Sequence, residues 1–149
     1  MRQRNPSPGR RKRRASVSAE AEILRKYRTI AVVGLSSDEA RDSYSVSKYM
    51  QAAGYRILPV NPSESEVLGE KAHPTVASIP ESVEIVIIFR RPEAVPSVVD
   101  DAIAAGAKVV WMQEGIVNEE AAAKARAAGL EVVMDRCIRT AHRRMAASA

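Results

Sequence analysis

The residues best suited to chemistry follow the apolar run at positions 30–33 and are of types that bind phosphate. They are Gly34, Leu35, Ser36, Ser37 and Arg41. A glycine without a Cβ lets a ligand approach the backbone, and the N-terminus of the next helix presents free N–H groups. The pattern predicts an anion site here. An ordinary ligand-free turn between a strand and a helix stays the alternative.

The same stretch does not specify one nucleotide. It contains one glycine, whereas the dinucleotide fingerprint G-x-G-x-x-G needs three. After the second apolar run stand Asn61 and Pro62, at the place where NAD-binding folds usually have an acidic residue for the ribose. NAD is therefore disfavoured.

Two further arginines, Arg90 and Arg91, follow the third apolar run. Because the carboxyl ends of parallel strands share one edge of a sheet, we expect them near Arg41. Guanidinium groups suit phosphate oxygens, since they offer paired donors. Pairing of Arg90 or Arg91 with Glu93 or Glu114 is equally compatible with the sequence.

Catalytic and metal-binding patterns are weak. His73 and His142 have no obvious carboxylate partner in the sequence, so packing or surface roles are favoured. Cys137 lies between Arg136 and Arg139, and neighbouring positive charges can lower the pKa of a thiol and so make it reactive. A buried, unreactive free cysteine is nevertheless the commoner case. No Cys/His cluster has metal-ligand spacing. The sequence therefore predicts no catalytic residue and no metal site, and a binding role is favoured over an enzymatic one.

Five short apolar runs must position these residues. They span 29–33, 56–60, 84–89, 108–112 and 131–134. Helical stretches separate them, and three end in Ala-Ala-Gly, which is typical of helix C-termini. This alternation predicts an α/β fold: one domain with a doubly wound, five-stranded parallel sheet between two helical layers. The connection 63–79 is expected to hold only a short helical turn, and a last helix is expected over 138–145.

Several motifs, taken in order, resemble the small stand-alone CoA-binding proteins. They are AVVGLS at 31–36, PVNP at 59–62, VLG at 67–69, FRRPE at 89–93, VP at 95–96, WMQ at 111–113 and MDRC at 134–137. The resemblance covers about residues 23–145. These proteins are similar to the CoA-binding domain of the succinyl-CoA synthetase α subunit. The resemblance implies a Rossmann-like fold and coenzyme A as the ligand.

The resemblance also implies a contact set for CoA. The diphosphate would lie at the turn 34–37 with Arg41, the adenosine end beside 60–62, and the pantetheine arm along 89–91. The residues expected to contact the ligand are Gly34, Leu35, Ser36, Ser37, Arg41, Val60, Asn61, Pro62, Phe89, Arg90, Arg91 and Gln113.

Length and charge set the remaining limits. The chain has 149 residues, enough for one domain with its own core, and one cysteine, so an intramolecular disulfide is excluded. No apolar run approaches the ~20 residues of a membrane span, which makes the cytoplasm the expected location. Residues 1–28 carry ten Lys and Arg against two acids, whereas residues 29–149 carry thirteen against sixteen. The basic net charge therefore belongs to the N-terminal part.

Residues 1–17 combine Pro, Ser and a basic run at 10–14, so we expect a disordered tail that precedes a domain at 18–149. The domain should open with a short helix from Ser18 to about Lys26. The tail could contact nucleic acid, but a solvated extension is favoured.

Three functions follow from the sequence, in this order. The first is non-catalytic binding of CoA or acyl-CoA, with a homodimer left open. The second is a regulatory module or enzyme subunit that binds NAD(P) or another nucleotide. The third is a nucleic-acid contact through the basic tail.

Overall fold

The computed structural model describes residues 17–148. It contains five helices: α1 (Val17–Lys26), α2 (Asp42–Ala52), α3 (Val95–Ala104), α4 (Glu119–Ala127) and α5 (Ile138–Ala147). The strands are β1 (Thr29–Val33), β2 (Arg56–Val60), β3 (Glu66–Val67), β4 (Glu70–Lys71), β5 (Ile85–Ile88), β6 (Val109–Met112) and β7 (Glu131–Val133). Short 3-10 turns cover Val76–Ser78 and Pro92–Ala94. The predicted domain start lies close to α1, while residues 1–16 of the predicted tail lie outside the described residues.

Five of the strands form one sheet in the order β2-β1-β5-β6-β7, and all four neighbouring pairs are parallel. Every predicted apolar run contributes one of these strands. The central strands are buried along most of their length, as expected for strands covered on both faces. The predicted doubly wound parallel sheet is confirmed.

Alternate side chains of each strand enter two separate cores. Ile30 and Val32 pack with α1, α2 and α5, whereas Ala31 and Val33 pack with α3 and α4. Helices therefore cover both faces of the sheet. This arrangement confirms the predicted three layers.

The connection between β2 and β5 is more ordered than expected. Besides a helical turn it contains the antiparallel pair β3–β4, joined by Leu68 and Gly69. Both residues have positive φ angles, 56° and 78°, as a two-residue hairpin turn with right-handed strand twist requires. Since leucine rarely adopts this conformation, the local sequence did not predict the hairpin.

The strand order reverses direction between β1 and β5. The chain leaves β1 through α2 and returns in β2 on one side, while β5 begins the series β5-β6-β7 on the other side. In open α/β sheets this switch point leaves a crevice at the carboxyl ends of the two strands. Within residues 17–148 no helix has the length and apolar character needed to cross a membrane.

Candidate functional site

A crevice of about 340 Å³ opens at the carboxyl ends of β1 and β5. Its walls come from the loop after β1, the first turn of α2, the loop after β5 and the β6–α4 loop. The lining residues are Gly34, Ser36, Arg41, Asp42, Ser43, Phe89, Arg90, Arg91 and Ile116. Six of these belong to the contact set predicted from the sequence, and they meet at the switch point of the sheet.

Three arginines contribute to this crevice. Arg41 precedes α2, and its side chain is exposed. Its Nε lies 3.9 Å from Asp38 Oδ2. Among the residues that the structure describes, Arg90 and Arg91 form no ion pair, so the pairing with nearby glutamates that the sequence allowed does not occur. The crevice therefore has guanidinium groups that are available to an anionic ligand.

Gly34 is needed for a reason that differs from the expected one. Its φ angle is +90°, and a Cβ on this residue would overlap the carbonyl oxygen of Phe89 and lie 3.4 Å from Arg90 Nε. The sequence predicted that the missing Cβ leaves room for a ligand. In the structure the carbonyl oxygen of Phe89 takes the space of a Cβ, so the glycine lets β1 and β5 end side by side. Gly34 also lines the crevice, and its contact with a ligand stays a prediction.

The amides of the loop after β1 mostly have partners within the protein. Gly34 N–H donates to the Val60 carbonyl oxygen at 2.8 Å, and Ser36 N–H donates to Ser43 Oγ at 3.1 Å. These two amides are therefore not free to bind an anion, and the anion site predicted at this turn stays a prediction. Among the residues that the structure describes, the N–H groups of Asp42 and Ser43 at the start of α2 have no acceptor, whereas Tyr44 N–H donates to the Arg41 carbonyl oxygen at 3.1 Å.

A turn after β2 holds the same loop from the other side. Asn61 Nδ2 donates to the Leu35 carbonyl oxygen at 3.0 Å, and Asn61 Oδ1 accepts from Ser63 N–H at 2.9 Å. Glu64 Oε2 accepts from both the N–H and the hydroxyl of Ser37, at 2.8 and 2.9 Å. Sequence reasoning missed Glu64, because no local pattern shows that it reaches back across 27 residues.

Three members of the predicted contact set have buried side chains. Leu35 is fully buried, Val60 is 2% exposed in the core, and Gln113 is 4% exposed. Gln113 Oε1 accepts from the N–H of Ile138 at 2.9 Å and so caps the first turn of α5. None of these three residues is among those that line the crevice, and their contact with a ligand stays a prediction. Pro62, by contrast, lies at the exposed surface.

Cys137 is half-buried and directly precedes α5. It lines a second, smaller cavity of about 180 Å³ at the ends of β6 and β7. Its neighbouring arginines point to other groups: Arg136 Nε lies 3.2 Å from buried Glu20, and Arg139 donates to Ser45 Oγ at 3.5 Å. The arginines that the sequence placed beside the thiol are therefore engaged elsewhere.

His142 belongs to an aromatic cluster away from the crevice. Its Nδ1 lies 2.8 Å from the Tyr49 hydroxyl, and its ring makes edge contacts with Tyr49 and Tyr55. Burial lowers the pKa of His142 below its ordinary value, and the charge of Arg28 lowers the pKa further. Tyr55 directly precedes β2, so the cluster lies toward the amino end of the sheet. Its contacts are those of a packing histidine.

The sheet order, the two helical layers and the polar crevice at the switch point define a Rossmann-like α/β domain of the type that holds ligands at strand ends. A family model described as CoA binding domain matches residues 28–143. The chain belongs to this CoA-binding domain family. The resemblance noted in the sequence is thereby confirmed.

Two relatives of similar size match along most of their length. An uncharacterized protein of Bacillus subtilis (strain 168), YneT, is 47% identical over 121 residues, which are 81% of this chain and 90% of the relative. The solved structure of a hypothetical protein from Pyrococcus horikoshii OT3 is similar to this chain, with a TM-score of 0.86 and 40% sequence identity. The match covers 98% of this chain and 99% of the Pyrococcus chain.

A more distant relative is a larger enzyme. Acetate–CoA ligase [ADP-forming] I of Archaeoglobus fulgidus is 26% identical over 121 residues, covering 74% of this chain. The match takes in 18% of the ligase. The chain thus corresponds to about one fifth of that enzyme.

Proposed function

We propose that this protein binds coenzyme A or an acyl-CoA in the crevice between β1 and β5, without catalysing a reaction. The observation that carries the proposal is the opening at the switch point, where the guanidinium groups of Arg90 and Arg91 form no ion pair with any of the described residues. Membership of the CoA-binding domain family supports the choice of ligand.

The diphosphate is proposed to lie between α2 and the arginines. The open N–H groups of Asp42 and Ser43 lie at the positive end of the helix dipole, which favours an anion. Arg41 precedes this turn, and Arg90 lies beside Gly34 on the opposite wall. Paired guanidinium donors on both sides of an anion suit a diphosphate better than a single carboxylate.

The non-catalytic part of the proposal rests on where the reactive side chains lie. In the aromatic cluster, His142 Nδ1 forms a hydrogen bond with the hydroxyl of Tyr49. Cys137 lines the second cavity, not the crevice. The crevice itself is lined by arginines, serines, one aspartate, a glycine and apolar groups, which can hold a phosphate but include no histidine or cysteine.

Isothermal titration of the full chain tests this proposal. We expect heat on titration with CoA, and weaker binding of NAD⁺ and NADP⁺ in competition. Absence of heat at high micromolar CoA would reject the proposal, and tighter binding of NADP⁺ than of CoA would favour the second function. Native mass spectrometry of the purified protein would show whether free CoA or a thioester is retained.

Three expectations from the sequence stay predictions. A homodimer is tested by light scattering coupled to size-exclusion chromatography. Cytoplasmic location is tested by cell fractionation. Nucleic-acid binding by the N-terminal tail is tested by comparing the full chain with a variant that lacks residues 1–17. If the tail binds DNA, the full chain should show salt-sensitive binding and the variant should not.

A further inference from the structure

The carboxylate of Glu64 already occupies part of the loop after β1. One oxygen, Oε2, accepts from Ser37 N–H at 2.8 Å and from Ser37 Oγ at 2.9 Å. A backbone N–H and a serine hydroxyl on one anionic oxygen are the same donors that a phosphate oxygen would use. The protein thus supplies its own anion at this position.

The turn after β2 is built to hold that carboxylate. Glu64 N–H donates to the Asn61 carbonyl oxygen at 3.2 Å, and Asn61 in turn binds the Leu35 carbonyl oxygen. Glu64 is half-buried and Ser37 is exposed, so the contact faces solvent and a competing anion can reach it. No lysine or arginine forms an ion pair with Glu64 within residues 17–148.

We infer that Glu64 is an internal competitor of the ligand's phosphate and sets the affinity of this chain for phosphate-bearing ligands. The inference rests on the proposed placement of the diphosphate between α2 and the arginines, in a crevice that Ser36 lines directly beside Ser37. A phosphate at Ser37 must displace the carboxylate, and one bound nearby on Ser36 or Arg41 is repelled by it. A ligand without phosphate meets neither effect.

The test compares Glu64→Gln with Glu66→Gln in the full chain, using inorganic pyrophosphate and pantetheine as probes. Glutamine at position 64 keeps an oxygen for Ser37 but removes the charge. Glu66 is exposed and lies two residues further on, so its variant removes the same charge outside the contact. Circular dichroism checks that both variants are folded.

We expect Glu64→Gln to bind pyrophosphate about three- to tenfold more tightly than the unaltered chain, from the loss of like-charge repulsion at short range. Glu66→Gln should change this affinity less than twofold, and pantetheine binding should not respond to either substitution. An unchanged or weaker affinity in Glu64→Gln would overturn the inference. Equal gains in both variants would also overturn it, because they would indicate a general effect of net charge.

A titration with CoA separates this inference from the proposed function. If Glu64→Gln gains affinity for pyrophosphate but neither protein binds CoA, the competition stands and the proposed ligand is wrong. If both proteins bind CoA with the same affinity and pyrophosphate shows no gain, the proposed function stands and Glu64 has only a structural role.

Discussion

Asn61 Nδ2 donates to the Leu35 carbonyl oxygen at 3.0 Å and so ties the end of β2 to the loop after β1. The sequence predicted Asn61 as a ligand contact. In the structure its two amide atoms are both used by the protein, since Oδ1 accepts from Ser63 N–H. The side chain therefore shapes one wall of the crevice.

The first prediction concerns this link. Asn61→Ala should lower the free energy of unfolding by about 1–3 kcal/mol. It leaves the half-buried carbonyl oxygen of Leu35 without its donor and removes the acceptor of Ser63 N–H. CoA affinity should fall as the loop loses its position. Urea unfolding and calorimetric titration measure the two effects. The exposed neighbour Ser65→Ala is the control, and equal stability of both variants would contradict the prediction.

The second prediction separates crowding from backbone strain at Gly34. Gly34→Ala and Gly129→Ala place a Cβ at almost the same φ angle, +90° and +92°, but only the first meets the Phe89 carbonyl oxygen. Each should lose about 1–2 kcal/mol from the left-handed conformation. Gly34→Ala should lose about 1–3 kcal/mol more from the overlap. Thermal unfolding of both variants measures the two losses of stability. Equal losses would contradict the prediction, because they would show that the ends of β1 and β5 move apart without cost.

A third prediction ranks the arginines of the crevice. Arg90→Gln should weaken CoA binding about tenfold or more, because it removes the charge-assisted hydrogen bonds that Arg90, which lies beside Gly34, is proposed to donate to the diphosphate. Arg41→Ala should have a smaller effect, since 72% of its side chain is exposed and solvent screens its charge. Arg25→Gln, on the exposed side of α1, is the control.

Titration with CoA and with pantetheine provides the readout for these variants. Losses with CoA should exceed those with pantetheine, which lacks phosphate. Equal losses with both ligands would remove that arginine from the phosphate site.

A fourth prediction follows from the lowered pKa of His142. In the unfolded chain its pKa has the ordinary value of about 6.5, and in the folded chain the value is lower, so the unfolded state binds more protons between the two values. The neutral ring of His142 therefore contributes its full share of the free energy of unfolding above about pH 6.5. This contribution is lost as the pH falls through the pKa of His142 in the folded chain. His142→Phe keeps a ring but cannot titrate.

Urea unfolding of the unaltered chain and of His142→Phe, measured from pH 8 down to about pH 5, tests this directly. The unaltered chain should lose more stability over the lower part of this range than the variant does. Parallel curves would mean that the contact of His142 with Tyr49 does not depend on its protonation state.

Much of the fold was predictable from local patterns. The runs at 30–33 and 85–88 are apolar because both faces of these strands are covered, and the helix ends before Gly54, Gly106 and Gly129 agree with the structure. Six residues of the predicted contact set line the crevice, since strand ends share one edge in a parallel sheet. These features depend on short-range periodicity and on the topology that it implies.

Contacts between distant residues were decided only by the tertiary structure. Glu64 binds Ser37 across 27 residues, Gln113 caps α5 across 25 residues, and the carbonyl of Phe89 fills the space beside Gly34. None has a signal in the local sequence, because each depends on the exact separation of two strand ends. By itself, the amino-acid sequence determined a set of candidate contact residues, six of which gather at the crevice. The tertiary structure decided which of them remain open to a ligand, since packing and hydrogen bonding in the folded chain occupy the others first.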